Sequence, residues 1–281
     1  MAISCSNIDT LPEDCVSKIL TYTSPLDACN FSMVSSTLHS AANSDTLWRS
    51  FLPSDYEDII SRTLNPLTLQ SSSSYRHLFF SLCQQPLLLD RGHISFKLDK
   101  YSGKKTYILS ARELSITWSN DPLYWSWRAS PESRFAEVAE VRTVSWLEIK
   151  GKMRTHILTP NTTYVVYLIT KVSHRVYGLD SAPAEVSVAM ANKVQNGMAY
   201  LYNKYEDTMF YENHRKMERN KLMEDNKEIR VPSKRDDGWM EIELGEFFCG
   251  EVDMEVKMSV MEVGYRLKGG LIVEGIEVRP K

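Results

Sequence analysis

The sequence predicts an α+β chain in two parts, a three-helix module at the N-terminus followed by an antiparallel β-sandwich. Three observations carry this. Apolar residues recur at helical spacing through the first 83 or so residues, and at a period of two from Ile94 onward. No long helical pattern falls regularly between the later strand candidates, which favours an antiparallel sandwich over a parallel βαβ sheet. Four of the six tryptophans (Trp118, Trp125, Trp127 and Trp146) crowd into Arg112–Lys152. There, the alternating segments Leu114–Trp118 and Ser145–Lys150 flank a turn-rich middle holding Asn120, Asp121, Pro122 and Pro131.

The bulk numbers narrow the function classes. A chain of 281 residues with 43% hydrophobic and 25% charged residues has the composition of globular protein. Its net charge is −3; residues 1–52 carry five acidic and two basic side chains, which leaves 31 of each sign for the remainder. No field favours a nucleic acid. Five scattered cysteines without a C-x-x-C pair point to thiols in a reducing compartment, not a disulfide frame or zinc site. The histidines show no metal or nucleophile spacing, so no metal and no cofactor is expected. Met1–Thr10 lacks a basic start and an apolar run, and no apolar stretch approaches the ~20 residues of a membrane span. The expected setting is the cytoplasm or nucleus, away from membranes.

Taken in order, Thr10-Leu-Pro-Glu13 reads as a capping box, with Leu11, Cys15, Val16, Ile19 and Leu20 on one helical face. Ser24-Pro-Leu-Asp27 repeats the start signal, and Ala28, Phe31 and Val34 follow at helical spacing. Ser44 or Asp45 caps a third piece carrying Leu47, Trp48, Phe51 and Leu52, ended by Pro53. A unit this small buries too little surface to be comfortable alone, so part of its apolar face is expected to await a partner. The stretch from Leu11 to Leu52 resembles an F-box, the adaptor module of cullin–RING ubiquitin ligases. The match rests on Leu11-Pro12-Glu13, Ile19-Leu20, the Ser24-Pro25-Leu26 turn, Val34-Ser35 and Leu47-Trp48. The resemblance implies that Leu11, Pro12, Ile19, Leu20, Leu26, Val34 and Trp48 contact the linker protein Skp1, and through it a cullin.

Asp55–Leu64 and Tyr75–Cys83 have helical patterns, with Ser74 placed to cap the second. The change of period puts a domain boundary near residues 84–92, giving a module at 8–53, a helical linker at 54–92 and a β domain at 93–281. Strand candidates follow at Thr106–Leu109, Leu114–Trp118, Val138–Arg142, Ser145–Lys150, Thr163–Val172, Ala184–Met190, Trp239–Leu244, Met254–Val263 and Gly270–Val278. Gly269-Gly270 reads as a turn. Residues 203–236 mix both charge signs densely and read as a solvated insertion.

The β half resembles phloem protein 2 and the Nictaba-like lectins. Three separated stretches carry this: Ala111–Met153, Asp236–Phe248 and Gly270–Pro280. The resemblance implies a jelly-roll-like sandwich that binds N-acetylglucosamine oligomers and related N-glycan cores, with Trp118 and Trp125 as stacking residues and Glu255 and Glu262 as the acidic pair. Pyranose C–H patches pack on indole faces, and hydroxyls need fixed acceptors, which carboxylates supply. Seven residues separate Glu255 from Glu262, so an unbroken strand sends them to opposite faces unless it bulges near Ser259. A glycosidase would cast the same two as acid and base, but a binding site needs no hydrolysis.

The leading expectation is therefore a non-catalytic substrate receptor of an SCF-type ubiquitin ligase whose targets carry N-acetylglucosamine-containing glycans. Two alternatives stand beside it: an F-box adaptor whose sandwich recognises protein, and a cytosolic lectin without a ligase role.

Overall fold

Helix-capping serines define the first half of the chain. The computed structural model describes residues 8, 11–64, 74–203 and 229–281, and the chain divides into units at 1–106 and 107–281. In the first unit, α1 (Glu13–Leu20) starts behind Pro12; the expected cap Thr10 lies outside the described residues. α2 (Pro25–Phe31) begins with a complete capping box between Ser24 and Asp27. α3 (Ser36–Ala42) and α4 (Asp45–Phe51) begin with Ser35 and Ser44 accepting from Leu38 N–H and Leu47 N–H. The module thus has four short helices where three were expected. The reason is Ser35: its hydroxyl opens a new helix and leaves Val34 in the connection instead of extending α2.

The module closes on Val16, Leu20, Ala28, Leu38, Ala41, Ala42 and Leu47. α5 (Tyr56–Ser61) and α6 (Tyr75–Gln84) follow, the latter capped by Ser74 as expected. Trp48 is sealed among Phe51, Phe79 and Phe80, with ring centroids 5.1–5.6 Å away, and donates its indole N–H to Ala42 O at 2.7 Å. β1 (Leu87–Leu89) pairs antiparallel with β2 (Ile94–Leu98). Asp99 then builds the turn, accepting from Ser102 N–H at 2.8 Å while Gly103 takes the left-handed φ of +70° that the chain needs there.

The second unit is a large antiparallel β structure. Its strands are β3 (Lys105–Ser110, beginning just before the unit boundary), β4 (Ser115–Ile116), β5 (Trp125–Arg128), β6 (Val138–Val141), β7 (Val144–Arg154), β8 (Thr162–Tyr177), β9 (Ala184–Met190), β10 (Lys193–Ala199), β11 (Ile229–Arg230), β12 (Ser233–Lys234), β13 (Met240–Cys249) and β14 (Glu255–Pro280). β14 organises the rest. Its first half pairs with β7 and β9, and its second half with β3, β6 and β8. It passes from one sheet to the other at a bulge between Val263 and Lys268, the usual way a strand turns the corner of a sandwich. The two sheets face each other: a Cβ on Gly151 of β7 would lie 3.1 Å from the Ile276 side chain in the second half of β14. Gly269 and Gly270 are not a turn. They lie inside β14, where a second irregularity falls between Gly269 and Leu271 opposite β8. Of the charged segment read as an insertion, residues 204–228 lie outside the described residues, while 229–236 contribute β11 and β12.

Two carboxylates are fully buried on β14, Glu274 and Glu277. Glu274 accepts from Ser133 Oγ at 3.0 Å and from Arg134 N–H at 3.1 Å. Glu277 pairs with Arg235, which also reaches Glu241 at 2.8 Å and Asp237 at 3.1 Å; Arg279 holds Glu241 through two bonds of 2.7 and 2.8 Å. Burial works to raise the Glu241 and Asp237 pKa values, but Arg279 and Arg235 outweigh it and hold both carboxyls below their ordinary range. Groups whose folded pKa is depressed stabilise the fold above the unfolded value of about 4 and lose that contribution as pH falls through the folded one. We expect the β unit to keep its thermal midpoint from pH 7 to about 5 and to lose stability steeply below about pH 4. Calorimetry across that range checks this; a midpoint flat down to pH 3 would contradict it.

Candidate functional site

The helical module exposes a set of large apolar side chains. Of the residues named for docking, Leu11, Pro12, Ile19, Leu26 and Val34 are exposed, and Tyr22, Phe31 and Met33 are exposed as well. Leu20 and Trp48 do not belong to this face. They are 2% and 1% exposed and form the core that α1 and α4 pack around. The helical stripe read from the sequence therefore holds two sets, with inward residues setting the module's shape and outward ones left in solvent.

In the β unit, β4, β7 and the first half of β14 run so that one set of ends converges. Thr117 N–H donates to Glu148 O at 3.1 Å, continuing the β4–β7 register past Ile116. The next residue, Trp118, has φ +60° and is 44% exposed. A bulky residue in the left-handed region is strained, and such strain gathers at functional sites. Its ring stacks on Tyr124 with centroids 4.9 Å apart and planes 33° apart.

On β7, Trp146 and Glu148 sit two residues apart and so share the outward face, while Leu147 and Ile149 point to the core. Trp146 is 42% exposed. The Glu148 carboxylate ties this end together, accepting from Thr117 Oγ1 at 2.9 Å and Trp146 Nε1 at 3.2 Å, with Lys150 Nζ at 2.5 Å from its other oxygen. The Lys150 contact first, then the Thr117 hydroxyl, hold Glu148 below the ordinary glutamate pKa, so it is ionised at neutral pH. A carboxylate offers about four lone-pair positions and three are used, which leaves capacity for a ligand hydroxyl. An exposed indole bonded to a fixed acceptor, with a second exposed indole one residue past Thr117, suits a ligand with flat C–H patches and hydroxyls.

The other expected residues fall differently. Trp125 is 2% exposed: it pairs with Val141 in the β5–β6 ladder and donates its indole N–H to Thr117 O at 3.0 Å. It offers no free face and instead supports the turn that presents Trp118. Trp127 is half-buried beneath Arg112, whose guanidinium lies 3.6 Å from the ring centroid. Glu255 and Glu262 point to opposite faces of β14, as the spacing of seven requires. The strand stays regular through Ser259, with Glu255 opposite Arg154 on the outer face and Glu262 opposite Leu147 on the inner one. Glu262 pairs with the buried Lys268. The acidic pair is thus not one site, and the carboxylate that holds an exposed indole is Glu148. The Trp-x-Glu spacing of 146 and 148 within an alternating segment was the signal that would have found it.

Among the described residues, no group of three or more metal-ligating side chains converges and no helix is long and apolar enough to cross a membrane. Comparison with known proteins gives two family matches, the F-box domain over residues 8–50 and Phloem protein 2 over residues 104–280. Among curated relatives from Arabidopsis thaliana, F-box protein PP2-B15 is 46% identical over 96% of this chain and 96% of its own length. F-box protein PP2-B13 is 45% identical over 96% and 98%, and F-box protein VBF 45% identical over 96% and 99%.

Proposed function

This chain belongs to the F-box proteins that carry a phloem protein 2 domain, and on that premise we propose that it is the non-catalytic substrate receptor of an SCF-type ubiquitin ligase, working in the cytoplasm or nucleus. The exposed face of Leu11, Pro12, Ile19, Leu26 and Val34 docks on a Skp1-type adaptor, and through it a cullin. The β unit holds the target by a glycan containing N-acetylglucosamine. The protein performs no covalent step; it raises the effective concentration of the target's lysines near a ubiquitin-loaded enzyme held elsewhere in the complex.

The single observation that supports the glycan half is the ionised Glu148, held by the exposed indole Trp146 and by Thr117, the residue before the exposed Trp118. An indole face packs on the C–H patches of a pyranose ring while the carboxylate accepts its hydroxyls. Trp125, Glu255 and Glu262 take no direct part.

The adaptor half is tested by co-purification with Skp1. Ile19→Asp with Val34→Asp, both at exposed positions, places two charges in the docking face. The double variant is expected to keep its melting temperature and lose Skp1 retention by at least about a hundredfold, since charges buried without partners at the centre of such a face cost several kcal/mol. Retention at the wild-type level would remove the proposed face. A glycan array run on the full chain tests the other half; silence towards every N-acetylglucosamine oligomer would leave the β unit without this ligand.

A further inference from the structure

We propose that the corner where β14 changes sheets is a docking surface for an acidic stretch of polypeptide, read by Arg142, Arg175 and Arg266. Three excursions of the chain meet there. The first is the turn at 142–143 between β6 and β7. The second is residues 173–176 of β8, which stand opposite the single Gly270 of β14. The third is residues 264–267 of β14, which stand opposite the single Ser145 of β7. Each carries one exposed arginine, and His174 is exposed beside Arg175. No Asp or Glu falls in any of the three segments. Among the described residues none of these arginines has a carboxylate within ion-pair reach, whereas the other seven described arginines of the β unit all do. A chain of net charge −3 thus pairs its arginines elsewhere in this unit and leaves three unpaired at one corner.

The excursions are held to one another. Arg142 O accepts the Tyr177 hydroxyl at 3.2 Å, and a Cβ on Gly269 would lie 2.6 Å from that same oxygen. A Cβ on Gly270 would lie 2.7 Å from the Cα of Val176, so the second excursion packs on the strand that carries the third. Lys268, itself buried, donates from Nζ to Arg266 O at 3.0 Å and to Ser145 O at 2.7 Å, which ties the third excursion to β7. Bulges re-aim side chains and gather beside binding sites. The three guanidinium groups therefore stand on a braced base, and none of them is spent on a contact within the protein.

The occupant follows from charge and spacing. A planar guanidinium matches a carboxylate through two parallel N–H···O bonds. Three arginines on three separate segments suit carboxylates spaced along an extended chain, whereas a single phosphate or sulfate would need them to converge. Nucleic acid draws its affinity from many phosphate contacts, and these segments hold no lysine to lengthen the track. An acidic sugar is disfavoured beside the ionised Glu148. The surface adjoins the candidate glycan end, since Val263 lies opposite Trp146. It does not depend on the carbohydrate reading, because Asp and Glu side chains are recognised whether or not a sugar is attached.

The test uses the full chain and four labelled probes without sugar, with affinities measured by fluorescence anisotropy. They are a short Asp/Glu-rich peptide, its Asn/Gln counterpart, a Lys-rich peptide and a single-stranded oligonucleotide. At low salt the acidic peptide is expected to bind about tenfold tighter than its amide counterpart, with the difference shrinking as salt screens the charges. Arg142→Gln, Arg175→Gln and Arg266→Gln together should erase that difference and leave the melting temperature unchanged, since no internal partner is lost. The same three positions changed to glutamate should create affinity for the Lys-rich peptide that the wild type lacks. Equal affinity for the acidic and amide peptides overturns the proposal, as does a difference that survives the triple Gln variant or a Glu variant that ignores the Lys-rich peptide. An oligonucleotide bound tighter than the acidic peptide through the same arginines would also overturn it, giving the surface to nucleic acid.

Discussion

Replacing Trp48 by alanine is expected to destabilise the helical unit by about 3–5 kcal/mol, the scale for deleting a fully buried Trp. The side chain is 1% exposed and packs on Phe51, Phe79 and Phe80, so the cavity is lined by rings that α4 and α6 hold in place and that cannot close over it. The indole bond to Ala42 O is lost as well. A module that closes on a handful of small helices has little stability to spare, so the variant should show a much lowered unfolding midpoint. Its Skp1 binding should weaken only in proportion to the fraction folded, and should recover on cooling or with a stabilising osmolyte. A Trp48→Ala protein with wild-type stability and lost Skp1 binding would instead return Trp48 to the docking face.

The second large effect is on ligand capture. Trp118→Ala with Trp146→Ala should each remove about 1–3 kcal/mol, the scale of other aromatic stacking platforms, and together abolish weak monovalent binding. Neither indole contributes to the core, and both are more than two-fifths exposed, so the folded state should survive. Trp125→Ala supplies the contrast. It empties a buried site and breaks the bond to Thr117 O that supports the Trp118 turn, so it should lower both stability and binding. Wild-type glycan affinity in the Trp118/Trp146 double variant would eliminate this end of the unit as the site.

The division into short helices and a later antiparallel β part was readable from period and capping alone, because Ser24, Ser44 and Ser74 each accept the backbone N–H that their position requires. α3 escaped because Val34 keeps the helical spacing of Phe31 even though the chain has already left the helix. β5 escaped for a different reason: Trp125–Arg128 is four residues long and follows Pro122, so its pairing with β6 leaves little local trace. The same pairing decides which tryptophan is available. Composition could place Trp118, Trp125 and Trp127 in one segment, but only the ladder to Val141 shows that Trp125 turns inward. The separation of Glu255 from Glu262 was legible from parity, and the strand indeed runs without a bulge between them. Parity could also have linked Trp146 to Glu148, a link not drawn from the sequence. What sequence could not reveal is the left-handed backbone at Trp118, the third residue of a turn that Ser119 N–H closes on Ile116 O.

The most direct measurement is a titration of the full chain with N,N′-diacetylchitobiose, following the indole N–H resonances of the six tryptophans, each assigned by its Trp→Phe variant. Shifts confined to Trp118 and Trp146, with Trp48, Trp125 and Trp239 unmoved, are the expected result. Shifts at the buried indoles alone, or none at saturating sugar, would contradict a ligand seated around Glu148.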